Sequence, residues 1–138
     1  TKQLKQLQSV LRADGIGLAY LYGSQARGDA HAGSDTDLAV VAKRKCSQAK
    51  KLKMRLSLAA KCAKVLGRTE VDLVFYEDLP LQVQFEALRE SVLIFSDDED
   101  RRVELEHKTY SRYFDRQYYF QRHSDLALQN IAARGILS

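Results

Sequence analysis

The run Asp37-Leu38-Ala39-Val40-Val41-Ala42 constrains the fold of this chain more than any other stretch. It is short, suited to β structure and almost continuously apolar, the pattern of a strand covered on both faces and therefore central in its sheet. The flanking segments alternate between helix and strand patterns, so the chain reads as α/β. With 138 residues, 45% of them hydrophobic, there is material for one compact core and not for two.

Leu4, Leu7, Val10 and Leu11 fall at helical spacing within 3–13, and Asp14-Gly15 stops that helix before a strand over Ile16–Tyr22. Residues 47–66 carry Met54, Leu58, Cys62 and Val65 at three- and four-residue intervals and end at Gly67, which predicts an amphipathic helix with a cationic outer face. A strand is expected over Glu70–Tyr76, a helix over 81–90 opened by Pro80, and a fourth strand over Val92–Phe95. Asp97–Asp100 is placed to start a long terminal helix. The division expected is a domain over 1–95 and a helical extension over 96–138, packed on that domain or on a partner.

The formal charge is only +4, but its distribution is uneven. Ten basic residues and no acidic one lie between Lys43 and Thr69, whereas Glu77–Glu106 holds ten acidic residues against three Arg. A polyanion at one end and a basic partner at the other would suit this layout, and so would a solvated helix face beside an acidic loop. Cys46 and Cys62 lack the paired spacing of a zinc site and suit a reduced, intracellular chain. No apolar run approaches the roughly 20 residues of a membrane span, and the first residues do not read as a signal peptide, so a soluble, cytoplasmic protein without a membrane partner is expected.

The chemistry is concentrated between the first two strands. Asp35 and Asp37, two apart, project to the same side of one strand edge. Like charges held together repel and lose hydration, and a hard divalent cation relieves both penalties. Mg2+ is the best match, since it takes a few carboxylate oxygens and keeps waters and substrate phosphates as its other ligands. Asp72, inside the third predicted strand between apolar neighbours, reads as a buried carboxylate; beside Asp35 and Asp37 it would share their metal or accept a proton from an attacking hydroxyl. Gly23-Ser24 marks a turn from the first strand into a short helix over about 24–27, whose free N–H groups form an anion cradle. Ser24 adds a hydroxyl donor, and Arg27, one turn on, a cation within reach of triphosphate oxygens. Neither a P-loop nor a dinucleotide fingerprint is present.

Gly23-Ser24, ten intervening residues, Asp35-Thr36-Asp37 and the later strand Asp72 resemble the signature of the DNA polymerase beta-type nucleotidyltransferases. The wording Tyr22-Gly23-Ser24-Gln25-Ala26-Arg27-Gly28 with Ser34-Asp35-Thr36-Asp37-Leu38-Ala39-Val40 is similar to the minimal nucleotidyltransferases, or MNT proteins. The resemblance covers about residues 16–95. It implies a small mixed sheet flanked by helices, two Mg2+ ions held by Asp35, Asp37 and Asp72, and the triphosphate of ATP cradled at Gly23-Ser24. Many such proteins pair with a small helical HEPN ribonuclease, and some act as antitoxins that transfer AMP from ATP to a tyrosine of that toxin. The implied function is that of such an antitoxin in a hetero-oligomer with a HEPN toxin. Two alternatives stay open: a transferase acting on a small hydroxylated molecule, and a non-catalytic module that masks a toxin or binds RNA through Lys43–Arg68. Nucleic acid is not the expected substrate.

Tyr110, Tyr113, Phe114, Tyr118, Tyr119 and Phe120 are half of the chain's aromatic residues, seven Tyr and five Phe. One helix cannot turn all six toward a single core, so part of this surface is expected to remain outside as a candidate interface.

Overall fold

The computed structural model of the chain describes residues 2–22, 36–67 and 71–135. The elements are α1 (Lys2–Ala13), β1 (Ile16–Tyr22), β2 (Thr36–Ala42), α2 (Gln48–Leu66), β3 (Val71–Phe75), a 3-10 turn (Tyr76–Asp78), α3 (Leu81–Glu90), β4 (Val92–Ser96) and α4 (Glu99–Ala133). The helix expected over 24–27 lies outside the described residues.

Local chemistry fixes the boundaries. The Ser47 side chain accepts the Lys50 N–H at the start of α2. Gly67, at φ 65°, ends that helix in the left-handed conformation and donates its N–H to the carbonyls of Ala63 and Lys64. Pro80 stands at the cap of α3, and Asp98 caps α4 by accepting the Arg101 N–H. β3 is shorter than its apolar pattern suggests, because Tyr76 opens the 3-10 turn.

The sheet order is β3-β2-β1-β4, with β2 and β3 parallel and the other neighbours antiparallel. β2 is thus interior and buried along its length except at half-buried Asp37, as its composition predicts. One face of the sheet packs Leu38, Val40, Leu73 and Phe75 against Leu7 and Leu11 of α1 and Leu58 and Cys62 of α2. The other packs Leu18, Tyr20, Ala39 and Val41 against Leu88 of α3, with Leu105 and Tyr110 of α4 alongside. Each large apolar side chain so buried contributes about 1.5–3 kcal/mol. A bulge between Ile16 and Leu18 turns both Ile16 and Ala19 toward the first face, although they are three residues apart. No helix among the described residues is long and apolar enough to cross a membrane.

The charge layout differs from the sequence reading. The outer face of α2 is cationic, but Lys51 is buried, with Nζ 2.7 Å from Glu77 and 3.4 Å from Asp78. It lies 5.3 Å from the centre of the Phe75 ring, and its hydrogen bond to Glu77 raises the ammonium pKa further. Lys43 likewise reaches Asp97 at 3.6 Å. The basic and acidic segments therefore partly neutralise each other within the fold.

Candidate active site

β1 is antiparallel to β2 and β2 is parallel to β3, so the end of β1 and the starts of β2 and β3 meet at one end of the sheet. Tyr22 pairs with Asp37, and Asp37 pairs with Asp72, so these three side chains form a row across three strands. Directly paired residues project to the same face, with adjacent strands about 4.8 Å apart. That face is the one covered by α3 and α4, since Tyr22 and Val74 both pack against its apolar cluster.

The electrostatics of Tyr22 report the same convergence. Burial pushes its phenol up to about 12, and the negative charges of Asp37 and Asp72 add to the shift. The sequence reading passed over Tyr22. Its signal was its position, immediately before Gly23-Ser24 and on the carboxylate face by strand alternation.

Asp72 lies in β3 as expected, but it is exposed rather than buried. β3 is an edge strand and Asp72 stands near its start, so solvent reaches the carboxylate and no burial penalty falls on it. From α2, Arg55 Nε donates to the Leu73 carbonyl at 3.0 Å, satisfying backbone of this edge strand. Among the described residues, Asp72 has no ion-pair partner. Gly23, Ser24, Arg27 and Asp35 lie outside the described residues.

The donor set fits a hard cation. Two laterally paired carboxylates, one half-buried and one exposed, supply oxygen ligands of the kind a hard cation takes. A cleft of about 360 Å³ is lined by Tyr76, Gln84, Arg101 and Lys108, among others, away from Asp37 and Asp72. Tyr76 follows the far end of β3, so this cleft is separate from the carboxylate row.

The profile described as "Polymerase beta, Nucleotidyltransferase" matches residues 5–100, and so takes in the whole sheet. The chain belongs to the polymerase beta nucleotidyltransferase family. No curated protein matches this nucleotidyltransferase in sequence. Among solved structures, a toxin-antitoxin complex with AMP-PNP contains a chain 26% identical, with a TM-score of 0.70, covering 91% of this chain and 98% of that one. A tri-AMPylated Shewanella oneidensis HEPN toxin in complex with MNT antitoxin contains a chain of the same fold. That chain is 22% identical, with a TM-score of 0.66 and coverage of 92% of this chain and 97% of that one.

Proposed function

We propose that this nucleotidyltransferase is the antitoxin of a HEPN/MNT pair and transfers AMP from ATP to a tyrosine hydroxyl of its HEPN toxin. The observation that carries the reading is the lateral pairing of Asp37 with Asp72 at one end of a nucleotidyltransferase sheet. The structural neighbours support the substrates: one toxin-antitoxin complex holds AMP-PNP, an ATP analogue, and another holds a toxin already AMPylated.

Asp35, Asp37 and Asp72 are the residues that would hold two Mg2+ ions. When bound, these ions would make the attacking hydroxyl more acidic and neutralise charge on the leaving group. The Gly23-Ser24 backbone and the Ser24 hydroxyl would hold the triphosphate, with Arg27 as a fixed cation beside it. Asp72, which is exposed, would take the proton of the incoming phenol. The phenolic oxygen then bonds to the α-phosphorus, the bond from that phosphorus to the bridging oxygen breaks, and pyrophosphate leaves. Tyr22 stays protonated at neutral pH and adds no negative charge beside the carboxylates.

The test is mass spectrometry of a HEPN toxin incubated with ATP, Mg2+ and this chain. The unaltered chain should add AMP to a toxin tyrosine, and chelation of Mg2+ should stop the reaction. Asp35→Ala, Asp37→Ala and Asp72→Ala should each lower the rate by about 1000-fold, the equivalent of several kcal/mol of lost charge stabilisation, with the circular dichroism unchanged. Full transfer by Asp37→Ala would refute the reading. Toxin neutralisation that persists in that variant without any adduct would point instead to non-catalytic masking.

A further inference from the structure

The two helices that cover one face of the sheet, α1 and α2, carry nine Lys and Arg between them and no Asp or Glu. Some of these cations find partners elsewhere in the fold: Arg12 pairs with Asp97, Lys51 with Glu77 and Asp78, and Lys61 with Asp14 at 2.9 Å. Lys50, Lys53 and Lys64 of α2, and Arg44 and Lys45 just before it, form no ion pair among the described residues. The layer therefore keeps an uncompensated positive charge at its surface.

That charge is aligned. At about 100° per residue, Lys50, Lys53, Ser57, Lys61 and Lys64 fall within one sector of about 80°. All five are exposed. At about 1.5 Å of rise per residue the stripe is about 21 Å long. Leu52 and Leu56, the exposed large apolar residues of α2, lie about 100–140° round the helix from its centre, so the stripe has no apolar anchor. The first turn of α2 holds no acid, and the positive end of its dipole adds to the field beside Arg44 and Lys45.

These features select the complement. A lipid surface or an apolar protein groove needs leucines and lysines on a common sector, and α2 separates them. A row of point charges without apolar contacts matches a polyanion, whose closely spaced phosphates give up counterions to lysine. No aromatic residue lies between Lys43 and Gly67, so the stacking platforms that hold single strands are missing. Lysine meets phosphate as a point charge and lacks the fork that reads a base edge, which places the contacts on the backbone.

We propose that the lysine stripe of α2 binds the phosphate backbone of a double-stranded nucleic acid, without sequence preference. Phosphates seat along Lys50, Lys53 and Lys64, and Arg44 and Lys45 extend the contact at the start of the helix. The stripe belongs to the sheet face covered by α1 and α2, opposite the face of Tyr22, Asp37 and Asp72, so this contact is distinct from the carboxylate row.

The test measures binding of the full chain, across a range of salt, to labelled RNA and DNA duplexes of one sequence, to the matching single strand and to vesicles rich in phosphatidylserine. It compares the unaltered chain with Lys50→Gln/Lys53→Gln/Lys64→Gln and with Arg112→Gln/Arg116→Gln/Arg122→Gln, which removes the same charge from α4. Both duplexes should bind more tightly than the single strand, with affinity falling as salt rises. The α2 variant should bind them at least about 10-fold more weakly, and its slope of log affinity against log salt should be shallower by about 3, at about 0.9 per lost phosphate contact. Its circular dichroism should be unchanged, and the α4 variant should keep the affinity of the unaltered chain. Unchanged duplex affinity in the α2 variant overturns the inference, and so does an equal loss in the α4 variant, because net charge would then account for binding. Tighter binding to the single strand or to the vesicles also overturns it, assigning the face to stacking or to a lipid surface. Failure of the unaltered chain to bind either duplex at low salt ends the inference and leaves the transfer reaction standing.

Discussion

Asp37 and Asp72 were both legible as candidate ligands, one from its spacing to Asp35 and the other from its place in a strand pattern. Their lateral alignment was not, because it depends on the parallel pairing of β2 with β3 across an intervening helix. Asp72, near the start of an edge strand, is exposed and does not carry the cost of a buried charge. Replacing it should therefore leave the fold intact: Asp72→Asn is expected to shift unfolding stability by less than about 1 kcal/mol, checked by denaturant titration, while transfer is lost. Tyr76 behaves differently. Its hydroxyl is hydrogen-bonded to Thr109 in the interior, and Thr109 also donates to the Leu105 carbonyl at 3.1 Å. Tyr76→Phe should then cost about 1 kcal/mol, since one buried bond is lost and the threonine keeps its other acceptor. A larger loss would show that the phenol also orders the neighbouring cleft.

Element boundaries followed from local signals wherever those signals were backbone chemistry. Gly67 was readable as the stop of α2, and the structure gives it the left-handed conformation that the stop requires. A Cβ there would meet nothing within 4 Å, so Gly67→Ala should cost about 1–2 kcal/mol from backbone strain alone. Ser47→Ala should cost about 1 kcal/mol through loss of the Lys50 N–H acceptor. Thermal or urea unfolding of both variants checks these values. The orientation of Lys51 could not be read from helical periodicity. It points inward only because the 3-10 turn carries Glu77 and Asp78 beneath α2, a tertiary placement that no property of residues 48–66 reveals.

At the scale of the whole molecule, the face shared by the carboxylates and α4 holds three tyrosines with raised pKa values. Burial pushes Tyr22 and Tyr76 up to about 12, and Tyr20 is raised by the same cause. These phenols hold their protons more tightly in the folded chain than in the unfolded one. Their contribution is therefore fully present below pH 10, the ordinary phenol value, and is lost as pH rises through about 12. Ultraviolet titration should show Tyr20, Tyr22 and Tyr76 ionising only above the ordinary phenol value, with unfolding accompanying them. Ionisation of Tyr20, Tyr22 and Tyr76 at the ordinary value would contradict the packing of this face. The sequence by itself determined the covered interior strand, the alternation of elements and the identities of the candidate ligands, because apolar period, capping and charge spacing act over a few residues. Tertiary structure alone decided that Tyr22, Asp37 and Asp72 form one row and that the basic and acidic segments meet. Those outcomes depend on strand register and helix packing between residues distant in the chain, which local pattern does not encode.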